Sequence, residues 1–169
     1  MKNKSTKIGL VLVLLVISLV TFAQEIKSKQ QVYSENIKDT PQINPKELKN
    51  KMESVRDFLL IDLRTEREHD AGYISGSIWI PRGFLEYKIQ EVCTNPETEI
   101  IVYCGRGGLS ILAVKSLQKL GYKNAFSLEG GMIAWIENEY TIYNQHGEIK
   151  VVNLMKKDPY LSTYDIFKQ

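Results

Sequence analysis

In the stretch Y-C-G-R-G-G-L-S, residues 103–110, a single cysteine follows the apolar run I-I-V and precedes three glycines within four positions. Gly105, Gly107 and Gly108 permit the positive-φ conformations in which successive backbone N–H groups turn inward as an anion-holding nest. The helix expected to follow brings its positive N-terminal end to the same place. Both effects favour the thiolate of Cys104, the nucleophilic form of that side chain. Arg106 is the one cation of the loop, and a guanidinium can grip an oxyanion with two parallel hydrogen bonds. The competing reading makes Cys104 a small inert core residue followed by a tight turn. Its position between a strand and a helix, in a chain that reads as exported, favours the nucleophile.

The elements that must position Cys104 follow from hydrophobic patterning. F-L-L-I-D-L (58–63) and E-I-I-V-Y (99–103) are continuous apolar runs, as in parallel strands buried on both faces. S-I-W-I and N-A-F-S-L read as two further strands. Asn44 and Pro45 open a short helix carrying Leu48 and Met52 on one face. Thr65 caps the acidic helix T-E-R-E-H-D-A, which ends at Gly72. Phe84, Leu85, Lys88, Ile89 and Val92 recur at helical spacing. In the helix after the glycine loop, Leu112, Ser116 and Leu120 share a stripe and Gly121 is the natural stop. Alternating strands and helices predict an α/β fold, a small parallel sheet with helices on both faces, whose ligand sites lie where strands end and helices begin. Cys104 is at such a point.

The chain has 169 residues and 43% hydrophobic content, enough for one core. Lys2, Lys4 and Lys7 precede an uncharged run ending in T-F-A, so residues 1–23 read as a secretory signal peptide. Its strongly apolar part, Ile8 to Val20, falls short of the roughly 20 residues of a spanning helix, which makes an N-terminal membrane anchor the alternative. Removing the three lysines turns the formal charge of +2 into −1, with no basic cluster to attract nucleic acid. Residues 24–41 are polar and aperiodic and read as a flexible linker, 42–140 as the domain, and 141–169 as a C-terminal extension. Within that extension N-Q-H-G suits a hairpin turn, but a lone hairpin needs something to pack on.

Cys93 and Cys104 are the only cysteines. They flank the 99–103 strand and stand about 17 Å apart at about 3.3 Å per residue, too far for a disulfide that tolerates about 7 Å between Cα atoms. Cys104 is therefore expected as a thiol, and Cys93 as a packed small residue, with an intermolecular disulfide as its alternative. His69 and His146 read as solvated surface, Trp79 and Trp135 as core. No Cys/His spacing suggests a metal, and no cofactor is expected.

The motifs I-D-L-R with T-E-R-E-H-D-A-G-Y-I-S-G-S-I-W-I-P, then I-I-V-Y-C-G-R-G-G-L-S, then L-G-Y-K-N-A-F-S-L-E-G-G-M-I-A-W resemble, in order and spacing, a single-domain rhodanese from about Ile43 to about Tyr140. The resemblance implies transfer of sulfane sulfur through a persulfide on Cys104, with Gly105, Arg106, Gly107, Gly108, Leu109 and Ser110 forming the substrate loop and Asp62 and Arg64 supporting it. It implies a small sulfur-donor anion such as thiosulfate, or a polysulfide, and a thiol or cyanide-like acceptor. The family's loop commonly reads C-x-x-G-x-R-S. Gly107 and Ser110 match, whereas Leu109 stands in place of the arginine. Arg106 then either substitutes by reaching across the pocket mouth or is a solvated loop residue, in which case a less charged donor is preferred. Glu68 is placed to pair with Arg64 across one helical turn. Phosphatases of this fold carry a longer loop ending in arginine six positions after the cysteine. Here Ser110 occupies that position, which disfavours phosphoryl transfer. The remaining alternatives are a non-catalytic module that carries sulfur or binds a protein partner through the C-terminal extension, and thiol redox chemistry, which normally wants a second cysteine closer than Cys93 is expected to be.

Overall fold

The computed structural model describes residues 26–54 and 57–151, so the signal sequence read at 1–23 and the chain beyond Val151 lie outside the described residues. The chain divides into two compact units after Val32. Helix α1 (Lys29–Ile37) occupies part of the stretch expected to be an aperiodic tether, and none of its residues is buried. Ser28 Oγ accepts the Gln31 N–H at 3.3 Å and Gln31 Oε1 accepts the Ser28 N–H at 2.7 Å. This S-x-x-Q capping box is the local signal that its polar composition concealed.

The second unit runs β1 (Gln42–Ile43), α2 (Pro45–Ser54), β2 (Phe58–Asp62), α3 (Glu66–Ala71), β3 (Ile78–Trp79), a 3₁₀ turn (Arg82–Phe84), α4 (Leu85–Val92), β4 (Glu99–Tyr103), α5 (Gly108–Lys119), β5 (Ala125–Leu128), α6 (Gly131–Glu137), β6 (Ile142–Asn144) and β7 (Gly147–Ile149). Strands β1 to β5 form one wholly parallel sheet in the order β1-β5-β4-β2-β3. The expected α/β architecture is therefore the observed one. From the end of β2 the chain leaves toward the β3 edge, and from the end of β4 toward β5 on the other side. The crevice between those two strand ends is the topological switch point, where doubly wound sheets place their ligands.

Period-2 alternation sorts each strand between two cores. Ile61, Ile100, Val102 and Cys104 pack with Leu85 and Ile89 of α4 and Ala113, Val114 and Leu117 of α5. Leu60, Ile101, Tyr103 and Leu128 pack with Leu48 of α2 and Met132 and Trp135 of α6. The stripe read on α5 is corrected. Its buried residues are Ser110, Ile111, Ala113, Val114 and Leu117, while Leu120 is 40% exposed. On α4, likewise, Leu85 and Ile89 are buried but Phe84 and Val92 are exposed, because the 3₁₀ turn starts the helix one residue after Phe84.

Helix α2 begins as expected: Asn44 Oδ1 accepts the Glu47 N–H at 2.9 Å, and Glu47 returns a bond to the Asn44 N–H at 3.1 Å. The hairpin at N-Q-H-G forms, pairing Ile142 with Ile149. What it packs on is the end of α3. Tyr73 and Tyr143 exchange two backbone bonds of 2.8 Å, and Ile142 seats its side chain where Gly72 has no Cβ.

Candidate active site

Cys104 leaves the C-terminal end of β4, the middle strand, and is 3% exposed. After it Gly105, Arg106 and Gly107 make the turn, and α5 starts at Gly108. Of the three loop glycines, only Gly107 adopts a positive φ, +89°, as the residue just before the helix. The nest therefore needs left-handed backbone once, not throughout.

What turns the remaining amides comes from the opposite side of the loop. The Met132 N–H donates to Cys104 O at 2.8 Å and the Ile133 N–H to Gly105 O at 3.0 Å. Both donors are in the first turn of α6, where backbone N–H groups lack intrahelical partners. In a trans peptide the C=O and the following N–H point oppositely, and no peptide bond among the described residues is cis. Fixing these two carbonyls on α6 therefore aims the N–H groups of Gly105 and Arg106 the other way. The first-turn amides of α5, Gly108 to Ser110, lack intrahelical partners and stand at the positive end of a 12-residue helix. Gly131 makes the clamp possible, because an added Cβ would overlap Cys104 O, and its φ is +60°. The turn Glu129-Gly130-Gly131 thus lets α6 approach the loop closely.

The sulfur meets side chains on one side. Cys104 Sγ lies 3.8 Å from Ser110 Oγ, which donates to Gly107 O at 2.9 Å and shares a 2.8 Å bond with Ser127 Oγ. Ser110 and Ser127 are fully buried. Ser127 was not read from the sequence as a site residue. Its signal was a hydroxyl at an inward-facing position of the apolar strand N-A-F-S-L. Arg106 and Leu109 sit at the loop's surface, Leu109 52% exposed. Both thiols lie outside any disulfide. Cys93 is packed beneath Tyr122, whose hydroxyl donates to Cys93 O at 2.6 Å.

Behind the loop, the D-x-R motif forms a buried charged cluster across the switch point. Arg64 donates from Nε and Nη2 to the two Asp62 oxygens at 2.9 and 2.6 Å, and Nη2 also reaches Gly72 O. Tyr103, the residue before Cys104, donates its hydroxyl to Asp62 Oδ2 at 3.0 Å. Burial alone would push the Asp62 carboxyl up, but the Arg64 bonds and charge and the His69 bond hold it below the usual carboxylate range. Burial, and then the Asp62 charge, push the Tyr103 phenol up, so it stays a donor.

Two sequence readings fail at this cluster. Glu68 does not pair with Arg64; its carboxylate turns back to Thr65 Oγ1 and N at 2.6 and 3.1 Å, because Asp62 already occupies the guanidinium. Nor is His69 a solvated residue: its Nδ1 is 3.0 Å from Asp62 Oδ2 and its ring stacks on Tyr73 and Trp79, at 4.7 and 5.8 Å between centroids. Trp79 lies on the rim of the cluster, donating to Arg64 O at 3.0 Å.

Known proteins resemble this chain in sequence and in fold. The chain is 30% identical over 102 residues to YrkF of Bacillus subtilis (strain 168), a candidate sulfur carrier protein, a match covering 60% of this chain and 54% of that one. It thus spans about half of YrkF. It is 27% identical over 106 residues to a sulfurtransferase of Allochromatium vinosum, covering 63% of this chain and 97% of that protein. The crystal structure of a rhodanese-related protein from Thermoplasma volcanium superposes with a TM-score of 0.54 at 30% identity, over 60% of this chain and 96% of that one. The family model described as the rhodanese-like domain matches residues 44–138, from the cap of α2 to the end of α6, and the chain belongs to the rhodanese-like family of sulfurtransferases and sulfur carriers.

Proposed function

We propose that this protein is an exported sulfurtransferase that carries sulfane sulfur as a persulfide on Cys104. The observation that carries the reading is the loop itself, a cysteine at the switch point with α6 holding the loop carbonyls away from it. The Cys104 thiolate attacks the outer sulfur of a donor such as thiosulfate, the S–S bond breaks, and sulfite leaves with the electron pair. The product is Cys–S–S⁻, whose charge the amides of Gly105 to Ser110 stabilise as an oxyanion hole would. A thiol or cyanide-like acceptor then takes the terminal sulfur and returns the thiolate.

A second reading, a sulfur carrier for another protein, is favoured by Leu109, which presents an apolar side chain at the loop surface where the family commonly has arginine. The likeness to YrkF supports it as well. Export rests on residues 1–23, and the proposed division is signal peptide, linker, domain to residue 140 and extension beyond.

The test is mass spectrometry of protein recovered from the exporting cell, after incubation with thiosulfate or with polysulfide. The expected result is a chain beginning at Gln24 that gains about 32 Da per sulfur, with Cys104→Ser abolishing the gain. Arg106→Ala is expected to slow loading from thiosulfate and leave polysulfide loading unchanged. Loading followed by turnover with cyanide identifies the enzyme; loading without turnover identifies the carrier. No gain from either donor removes both readings.

A further inference from the structure

Ser127 lies one strand away from Cys104 on the same face of the sheet, beside Val102 in the β4–β5 register. Among the described residues its hydroxyl has one partner, Ser110 Oγ, at 2.8 Å. A fully buried hydroxyl on an apolar strand is unfavourable unless its hydrogen bond is kept. The direction of that bond follows from counting protons. Ser110 has one, and Gly107 O, 2.9 Å away, can only accept it. Ser127 must then donate to Ser110 Oγ, leaving the other lone pair of Ser110 to the Cys104 S–H. The 3.8 Å separation is at the long end of hydrogen bonding, as suits a thiol, a weak partner.

Loss of the thiol proton reverses the demand, since the sulfur now needs a donor. Ser110 can supply it by turning its proton away from Gly107 O. That carbonyl is not orphaned, because the Ile111 N–H also reaches it at 3.1 Å. Ser127 keeps donating to Ser110 Oγ throughout, so Ser110 always has an acceptor's need met and its proton available. We propose that Ser127 is a positioning residue for the Cys104 sulfur, acting through Ser110 as a two-hydroxyl relay that swings one hydrogen bond from Gly107 O to the sulfur when the sulfur is anionic. For the sulfur-loaded state this rests on the sulfurtransferase reading; for the thiolate it does not.

The relay is tested on the thiolate. The rate of Cys104 alkylation by iodoacetamide, a neutral probe, is followed against pH by peptide mass spectrometry, which separates Cys104 from Cys93. The Ser127–Ser110 bond joins two neutral hydroxyls, and its loss corresponds to about a 3- to 10-fold change in the thiolate equilibrium. Ser127→Ala is expected to slow alkylation by that factor below the midpoint and to move the midpoint upward, with Ser127→Thr restoring both. In a Ser110→Ala background, Ser127→Ala is expected to change nothing further, because its path to the sulfur is gone. An unshifted midpoint in Ser127→Ala overturns the relay, as does an equal shift with and without Ser110. Circular dichroism of each variant reports the fold, and if the extra methyl of the threonine does not fit, the cycle with Ser110→Ala decides alone. Failure of sulfur loading together with a shifted midpoint would remove the sulfurtransferase reading and leave the relay standing.

Discussion

At the scale of single residues, two glycines 24 positions apart in sequence set the shape of the loop, and they do so differently. Gly107 needs its freedom for backbone reasons: at φ +89° a side chain is strained, but an added Cβ would lie 3.4 Å from its nearest atom, Gly130 N, so the neighbours barely resist it. Gly131 combines φ +60° with a Cβ position overlapping Cys104 O. Gly107→Ala should therefore lose about 1–2 kcal/mol, the cost of left-handed backbone in an L-residue. Gly131→Ala should lose more than that and also slow Cys104 alkylation, because relieving the overlap means moving the carbonyl that aims the Gly105 amide. Equal losses in urea unfolding, or unchanged alkylation in Gly131→Ala, would remove the clamp from the account of the site. Cys104 and Asp62-x-Arg64 were legible in the sequence because the chemistry and the motif lie within a few residues. The Met132 and Ile133 amides and Ser127 were not, since they reach the loop only through the pairing of β4 with β5 and the helix that follows.

At the scale of elements, strands were legible where they were buried on both faces, since β2 and β4 are unbroken apolar runs. Helix caps were legible at Asn44, where cap and partner lie three residues apart. The packing face of α5 was not. An i, i+4 stripe from Leu112 through Ser116 to Leu120 fits a helix in isolation, but a helix crossing a sheet buries the stripe that the sheet selects. Here the first turn is tied down at Ser110 by Ser127, so Ile111, Ala113, Val114 and Leu117 turn inward and Leu120 reaches the surface as the helix ends. Two leucines three residues apart should then respond oppositely. Leu117→Ala, at a fully buried position, is expected to lose about 2–5 kcal/mol. Leu120→Ala is expected to stay within about 0.5 kcal/mol of the parent protein. Urea midpoints decide the matter, and similar losses at the two positions would restore the stripe read from the sequence.

At the scale of the whole domain, the Asp62 cluster ties together the ends of β2 and β4 and the close of α3, and the β6–β7 hairpin closes over Tyr73, which stacks on His69. The groups facing Asp62 are Arg64 from its own strand end, His69 from α3 and Tyr103 from β4. Its carboxyl is held below the ordinary range, so folding is favoured by its ionised form. That contribution is fully present above the unfolded carboxyl value of about 3.9 and drains away as pH falls from there through the folded value. Tyr103 has the opposite sign: raised in the fold, it contributes fully below about 10, the unfolded phenol value, and less as pH rises through its folded value. Asp62→Asn leaves the Arg64 guanidinium buried without its carboxylate and is expected to destabilise by about 3–5 kcal/mol at neutral pH. Because the variant has no carboxylate to lose there, its deficit against the parent protein should shrink as pH is lowered below about 4. Tyr103→Phe, which removes one hydrogen bond to the carboxylate, one from the Ile74 N–H and one shared with Ser77 Oγ, should cost less, with a deficit that shrinks above about pH 10 instead. Urea unfolding of the three proteins across pH reads both slopes. A deficit for Asp62→Asn that stays constant from neutral to acid pH would show that the ionised carboxylate is not what the cluster contributes to the fold.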